Sequence, residues 1–339
     1  MTDTVLITGV TGFLGSHLAI ALLRAGYAVR GSLRDLSQAQ GVIEAADHAG
    51  VDRSRLEFRR LDLLRDDGWV EAAQGCRFVH HVASPFVLRM PKSDAVLVRP
   101  AVGGTERAIT AALAAGVDRI VLTSSAAAVD QGRRLYPAVL GPEDWTDLEG
   151  PHVTAYTRSK TLAERHAWSL VEAAGARSKL AVINPGTLLG GLTSADAGTS
   201  ATLVQRMLRG QMPVLPNLVL PYVDVADVVA LHLAAMTSSQ ACGRRTLVTN
   251  PAESLASIAT TLRARLGEAA SRVSDRRMPD WAARTIALFD PALRDSLAYL
   301  GVQRRYDVSR AEAILGRPLR PTGDAVEATA RSLIAFGLA

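Results

Sequence analysis

The chain has 339 residues, 48% hydrophobic and 21% charged, with a formal net charge of +5 at pH 7, a composition that buries a large core and argues against disorder. Its arginines and lysines are scattered among acids, which argues against a nucleic-acid surface and leaves a phosphate-bearing small ligand as the better match. Two cysteines, Cys76 and Cys242, argue against a disulfide scaffold and a zinc site; with no basic-then-apolar leader, and with the apolar run Val225 to Met236 broken by Asp227 and His232, a cytoplasmic enzyme is expected.

Thr4 to Thr8 are β-branched or apolar without an alternating polar face, which predicts a short strand buried on both sides in a parallel sheet. From Ser16 the apolar spacing turns helical. Between them Gly9, Gly12 and Gly15 are spaced for a tight turn, a bare backbone over a diphosphate and a close helix contact. The helix aims unpaired N–H groups and its positive dipole end at that turn, so the stretch predicts a dinucleotide seat to which Thr11, Phe13 and Leu14 also belong.

Strand and helix patterns then alternate, the mark of a doubly wound α/β (Rossmann) sheet. Gly26 stops the first helix and Tyr27 to Leu33 reads as the second strand. Ser32 stands where an NAD site places a carboxylate, and Arg34 follows with a guanidinium able to fork onto a 2′-phosphate, which favours NADPH. NAD stays possible, with Arg34 solvated and Asp35 on the ribose. Leu56 to Leu61 is a third strand, with Asp62 and Leu63 at its end offered to the adenine. Phe78 to Val82 is a fourth, leading into Ala83, Ser84 and Pro85, small residues that admit a ribose. Adjacent His80 and His81 point to opposite faces of a strand and so do not form a metal pair; one packed and one hydrogen-bonded is the expectation.

Helical spacing resumes over Val102 to Ala115, Arg119 to Thr123 gives a fifth strand, and Thr123-Ser124-Ser125-Ala126 lies at its carboxyl end, where open parallel sheets bind ligands. Thr154 to Ala174 reads as a long helix carrying Tyr156 and Lys160 on one face, about 6 Å apart along the axis. Hydride transfer to a carbonyl needs a proton for the forming alkoxide, and a phenol of pKa about 10 gives one up reluctantly. A neighbouring ammonium and an oxidised nicotinamide favour the phenolate; lowering the pKa by about 3 is worth about 4 kcal/mol. Tyr156 is then the general acid or base, Ser125 polarises the carbonyl oxygen, and Lys160 also reaches the nicotinamide ribose.

Thr4 to Gly15, Val29-Arg30 through Arg34-Asp35, His81 to Pro85, Leu122 to Ala126, Tyr156 to Lys160 with Thr161 to Glu164, and Tyr222 to Asp227 together resemble the dihydroflavonol reductase and cinnamoyl-CoA reductase group of extended short-chain dehydrogenases/reductases. The likeness runs to about Met236 and is looser afterwards. It implies NADPH-dependent carbonyl reduction by a Ser, Tyr, Lys set, with Ser125 rather than Ser124 as the serine. It also implies that Pro185, Gly186, Thr187 and Leu188 hold the nicotinamide carboxamide, and that Val82 and Thr123 contact the cofactor. Two departures stand out: Arg99 to Gly103 lacks the asparagine that related enzymes use to hold a relay water, and Ser37 to Gly41 lacks a further lysine of the plant reductases.

Residues 1–189, rejoined by 220–250, are expected to form the dinucleotide-binding domain; 190–219 and 251–339 form a mostly helical substrate lobe with no core of its own. A helix is expected near Thr199 to Arg209, a late strand over Arg245 to Thr249, and a capping box at Ser309 to Glu312 with Gly316 as the stop. Phe86, Val87, Leu88 and Met90, with Ala126, Ala127 and Tyr222, are the expected pocket walls; they favour a hydrophobic, aromatic ketone or aldehyde over a sugar nucleotide, and Arg89, Lys92, Arg133 and Arg134 keep a CoA thioester open. The expected protein is a monomer or homodimer that binds a small-molecule substrate and no nucleic acid, membrane or metal. The alternatives are an NAD-dependent nucleotide-sugar epimerase or dehydratase and a non-catalytic dinucleotide-sensing regulator.

Overall fold

The apolar run at the start forms strand β1 (Thr4–Thr8), and the helical spacing behind it forms α1 (Phe13–Arg24). The computed structural model describes residues 2–85, 93–195 and 198–339, the side chains of 198–200 excepted. Alternation continues through β2 (Ala28–Leu33), α2 (Ala39–His48), β3 (Leu56–Arg60), α3 (Trp69–Ala73), β4 (Phe78–His81), α4 (Ala95–Ala114), β5 (Arg119–Thr123), α5 (Ala155–Ala173) and β6 (Leu180–Pro185). Short strands β7 (Thr187–Leu189), β8 (Leu215–Pro216), β9 (Val219–Leu220) and β10 (Tyr222–Asp224) surround α6 (Gly198–Leu208); α7 (Val225–Ala235) and β11 (Arg244–Val248) return to the sheet.

The seven-stranded sheet is parallel throughout, in the order β11-β6-β5-β4-β1-β2-β3. Strand order reverses between β1 and β4, so the crevice at their carboxyl ends is the ligand position of a doubly wound sheet. Successive residues of a strand feed opposite faces: Val5 and Ile7 pack with Leu14, Leu18 and Leu22 of α1 and with α7, while Leu6 packs with Trp69, Ile109 and Trp168 of α3, α4 and α5. This is the doubly wound Rossmann fold expected from the alternation.

Four local expectations differ. Helix α4 begins at Ala95, ahead of Pro100, although a proline interrupts a helix interior; Leu97, 1% exposed, anchors the turn before it. The segment after β11 is not helical throughout, because β12 (Glu253–Ser254) pairs antiparallel with β9 and β13 (Arg277–Met278) pairs parallel with β8. Ser309 does not cap α11 (Ser309–Leu315): its N–H donates instead to Asp307 Oδ1 at 3.0 Å, while Gly316 ends the helix at φ +68° as expected. The C-terminal segments do have a core of their own: Val204, Met207 and Leu208 of α6, Leu255, Ile258 and Leu262 of α8 (Leu255–Leu266), and Val326, Ala330 and Leu333 of the last helix form one buried cluster.

Between α8 and the end run α9 (Asp280–Ile286), α10 (Pro291–Asp295), α11 and α12 (Thr322–Ala335). Helix α12 is fastened to the turn behind β7. Thr329 Oγ1 accepts from Gly190 N at 2.7 Å, while Gly190 O lies 3.0 Å from the same hydroxyl. Among the described residues no helix is long and apolar enough to cross a membrane.

Both histidines of β4 are buried and both have hydrogen-bond partners: His81 Nδ1 lies 2.8 Å from Thr8 Oγ1, and His80 Nδ1 lies 3.1 Å from Nδ1 of His232 on α7. His232 Nε2 in turn lies 3.2 Å from Thr123 Oγ1. Burial pushes all three imidazoles below the usual histidine value, His81 and His232 to about 3. Because the folded values lie below the unfolded one, their stabilising contribution is complete above pH 6.5 and is lost as pH falls from there towards 3. Each neutral imidazole should therefore cost about 1.4 kcal/mol of stability per pH unit below about 6.5. Thermal melts should show a marked drop in Tm between about pH 7.5 and about pH 5.5; equal values would contradict the neutral assignment.

Candidate active site

The turn between β1 and α1 assigns a different task to each glycine. Gly9 has φ +72°, and a Cβ there would come within 2.8 Å of Ala83 Cα; a Cβ on Gly15 would lie 2.2 Å from Gly9 O. Gly12 is different: an added Cβ would meet nothing nearer than 3.5 Å, so no protein contact demands its bareness. That leaves an open approach to the backbone at the N-cap of α1, which has no side-chain cap and no acid in its first turn. Its orphan N–H groups and dipole fit a diphosphate.

The three residues expected to carry proton transfer come from two elements. Ser125 follows β5, 9% exposed, and Tyr156 and Lys160 lie one turn apart on α5, whose N-cap Thr154 accepts from Thr157 N at 3.1 Å. Tyr156 Oη donates to Ser125 Oγ at 3.5 Å, and Ser125 Oγ also accepts from Ala127 N at 3.1 Å. With both lone pairs engaged, the Ser125 hydrogen is left to donate to a carbonyl oxygen. Lys160 Nζ donates to Thr123 O at 3.4 Å. In the protein alone the Tyr156 phenol is not made more acidic: burial pushes it up, and the Ser125 hydrogen bond opposes this only in part. Burial also brings Lys160 down to about 8, against the pull of Glu164.

Glu164, one turn beyond Lys160, was not singled out in the sequence, yet it ties the site together. Its carboxylate is buried at 1% exposure and accepts from Ser124 Oγ at 2.5 Å, Asn184 Nδ2 at 2.8 Å and Trp168 Nε1 at 3.3 Å, and it is paired with Arg245 of β11. Asn184 Nδ2 also reaches Ser125 O at 3.3 Å. Arg245 donates to Pro142 O and Asp144 O and stacks over Trp145 at 3.7 Å. The spacing of Glu164, four residues after Lys160 on an otherwise buried helix face, was the available signal.

Other expected positions line the crevice to differing degrees. Val82 N and Ala83 N both donate to Thr8 Oγ1 at 3.1 Å, which fixes the bend after β4, and Ser84 is half-buried beside them. The Asp62 carboxylate accepts from Leu64 N at 2.9 Å, and Leu63 packs over Gly104, where a Cβ would lie 2.4 Å from Leu63 Cδ2. Gly186 is required by packing, since a Cβ there would meet Thr249 Oγ1 at 2.5 Å; Pro185 is buried, and Thr187 and Leu188 are half-buried in β7. Phe13 stacks edge-on with His17 at 4.7 Å, and Leu14 faces the core beneath the turn.

The pocket walls fare less well. Ala126 and Tyr222 lie inside apolar clusters, at 2% and 0% exposure, and Ala127 is 5% exposed in the turn after Ser125. Ala127 N donates to Ser125 Oγ at 3.1 Å, so this turn is fastened to the serine. Phe86, Val87, Leu88, Arg89, Met90 and Lys92 lie outside the described residues.

At the adenosine end Arg34 is exposed and Asp35 turns away: its carboxylate accepts from Ser37 N at 3.0 Å and caps a short 3-10 turn. A second cation, Arg60, was missed in the sequence. It pairs in register with Leu33, and its Nε donates to Arg34 O at 3.2 Å.

Parallel sheet, glycine turn and the Ser125, Tyr156, Lys160 set are those of an extended short-chain dehydrogenase/reductase. The model of the NAD dependent epimerase/dehydratase family matches residues 5–248, and the chain belongs to that family. Within it the chain falls in the dihydroflavonol reductase and cinnamoyl-CoA reductase-like group, and it is an NAD(P)-dependent oxidoreductase acting on CH–OH and C=O groups. It is 33% identical over 251 residues to cinnamoyl-CoA reductase CAD2 of Medicago truncatula, covering 73% of this chain and 76% of that protein. It is 35% identical over 218 residues to a dihydroflavonol 4-reductase of Zea mays, covering 62% of this chain and 59% of that one. The crystal structure of the yeast methylglyoxal/isovaleraldehyde reductase Gre2, complexed with NADPH, superposes with a TM-score of 0.80 at 23% identity, over 98% of this chain and 99% of that one, a likeness of fold.

Lys160 is charged below about pH 8 and neutral above it, so kcat for carbonyl reduction should hold at neutral pH and fall as pH rises through about 8. Glu164→Gln removes the charge that favours the ammonium and should move that fall to lower pH. A fall that stays in place in Glu164→Gln would show that the carboxylate is not felt at Lys160.

Proposed function

We propose that the protein is an NADPH-dependent carbonyl reductase, or an alcohol dehydrogenase in the reverse direction, acting on a hydrophobic, aromatic ketone or aldehyde. The observation that carries this reading is the Tyr156–Ser125 hydrogen bond of 3.5 Å, with Lys160 one turn along α5, at the carboxyl end of β5. Bound NADPH would supply hydride to the carbonyl carbon. Ser125 donates to the carbonyl oxygen, Tyr156 Oη delivers the proton as charge develops there, and the Lys160 ammonium favours the phenolate left behind.

The coenzyme preference rests on the carboxyl ends of β2 and β3. Ser32 offers no carboxylate to a ribose hydroxyl, Asp35 is committed to its own turn, and Arg34 stands exposed with Arg60 at its backbone. Two guanidiniums and no free carboxylate suit a 2′-phosphate. We assign residues 1–189 and 220–250 to dinucleotide binding, and 190–219 with 251–339 to a substrate lobe; a monomer or homodimer working in the cytoplasm on a small-molecule substrate fits this reading. The nucleotide-sugar alternative uses the same three side chains but recycles a tightly held NAD. Purified protein that oxidises free NADPH in the presence of aldehydes, ketones or CoA thioesters is a reductase; protein that retains NAD and shows no net oxidation is not.

Tyr156→Phe should lower turnover by about 100-fold or more with NADPH affinity nearly unchanged; parental turnover would remove Tyr156 from the acid role. Arg34→Ala should weaken NADPH binding by roughly 10- to 100-fold in a fluorescence titration while NADH changes little. Equal losses for the two coenzymes would reverse the preference drawn here.

A further inference from the structure

Helix α9 is built the wrong way round for a face in water. Its inward side carries Ala283 and Ala287, both buried, while Trp281 and Leu288 stand outward at 73% and 70% exposure and Phe289, at 84%, lies beside them. Positions three, four and seven apart share one side of a helix, so Trp281, Arg284 and Leu288 form a single stripe. Hydrogen bonds from Ala287 N to Ala283 O and from Leu288 N to Thr285 O carry the turn as far as Leu288. Ile286, also exposed, widens the face. Together these side chains leave on the order of 500 Å² of apolar surface open, the size of the largest patch on a typical monomer and a mark of an interaction surface.

The charges around the face decide the partner. Arg276 and Arg277 lead into the helix, Arg284 sits inside the stripe, and all three are exposed and without an ion pair among the described residues. The acids of the same segment are engaged elsewhere. Asp275 pairs with Arg263 at 3.2 Å, Asp280 accepts from Asn217 Nδ2 at 3.3 Å, Asp290 accepts from Ala292 N at 2.9 Å as the cap of α10, and Asp295 lies by Arg294. Apolar side chains with free cations among them match a surface that is apolar within and anionic at its face, which is a bilayer bearing acidic phospholipids. A second copy of the chain matches less well. In a two-fold contact the patch meets itself, which brings two Arg284 side chains into one apolar contact, and the area falls short of the roughly 800 Å² that each partner gives to a stable interface.

We propose that α9 docks the protein on the surface of an anionic phospholipid bilayer, with Trp281, Leu288 and Phe289 entering the headgroup boundary and Arg276, Arg277 and Arg284 meeting lipid phosphates. The helix has seven residues, far too few to cross, so it lies on the membrane. The proposal stands apart from the reductase reading, and it departs from the expectation of no membrane partner drawn from the sequence.

The test adds vesicles of phosphatidylcholine alone, or of equimolar phosphatidylcholine and phosphatidylserine, to the whole protein and reads co-sedimentation and tryptophan emission. Trp69 and Trp168 are buried and Trp145 is stacked under Arg165 and Arg245, so a shift to shorter wavelength reports Trp281. The parent should sediment with the anionic vesicles and show that shift, and should bind phosphatidylcholine alone about 10-fold more weakly or less. Leu288→Ser combined with Phe289→Ser, and separately Arg284→Glu, should each weaken anionic binding by roughly 10-fold or more while NADPH affinity keeps its parental value. Should the double variant not fold, Arg284→Glu reads the same surface. No binding by the parent, equal binding to the two kinds of vesicle, or parental binding in the variants would overturn the proposal. A concentration-dependent dimer in gel filtration that is lost in Phe289→Ser would give the face to a second copy and overturn it likewise.

Discussion

A carboxylate exposed at only 1% holds the reacting side chains in register. Glu164 is carried on the buried face of α5 and binds groups from the end of β5, from β6 and from β11 at once: Ser124, Asn184 and Arg245. Buried ion pairs contribute little to stability when set against apolar replacements, but removing one partner leaves an uncompensated charge, a loss of several kcal/mol. Here the pair fixes the helix carrying Tyr156 and Lys160 against the strand end carrying Ser125. Arg245 extends the tie to the 142–145 turn through two carbonyls and a stacked indole. The hydrogen bond between Tyr156 and Ser125 depends on that alignment.

The first turn of the chain solves a separate problem, that of leaving backbone donors bare without losing the fold. Gly9 and Gly15 are consumed by the protein itself, one by its positive φ and the contact with Ala83, the other by the oxygen of Gly9. The turn can therefore stay rigid while Gly12 stays open. Ser16 and His17, on the next turn of α1, reach Thr193 and the Gly191 carbonyl, so the same helix also holds the start of the 190–219 segment.

The strands, the glycine turn and the Ser, Tyr, Lys set were legible because each is written in consecutive residues or at helical spacing. Thr4 to Thr8 carries its burial in its composition, and Tyr156 and Lys160 declare a common face by their separation. Relations between distant segments were not legible. Glu164 and Arg245 are 81 residues apart, and Arg60 meets Arg34 only because β2 and β3 pair in register. Tyr222 was misplaced for a related reason: a tyrosine beside a motif resembles a pocket wall, whereas its ring fills the core of the C-terminal cluster. In the protein alone burial raises the pKa of the Tyr156 phenol, an effect with no linear signature in the sequence. The helix before Pro100 was missed because a local rule lost to the packing of Leu97.

The staple between Thr329 and Gly190 bears on how such a chain tolerates change. The C-terminal quarter, beyond the residues the family model matches, is held to the rest of the chain by the backbone of Gly190 and also by side chains: Tyr306 donates to Asp130, Arg317 pairs with Asp227, and Ala311 packs in the cluster of β1 and α7. Backbone partners do not care which residue carries them. Side-chain partners do, so these segments are free to drift in sequence only where they leave in place the residues that meet Asp130 and Asp227.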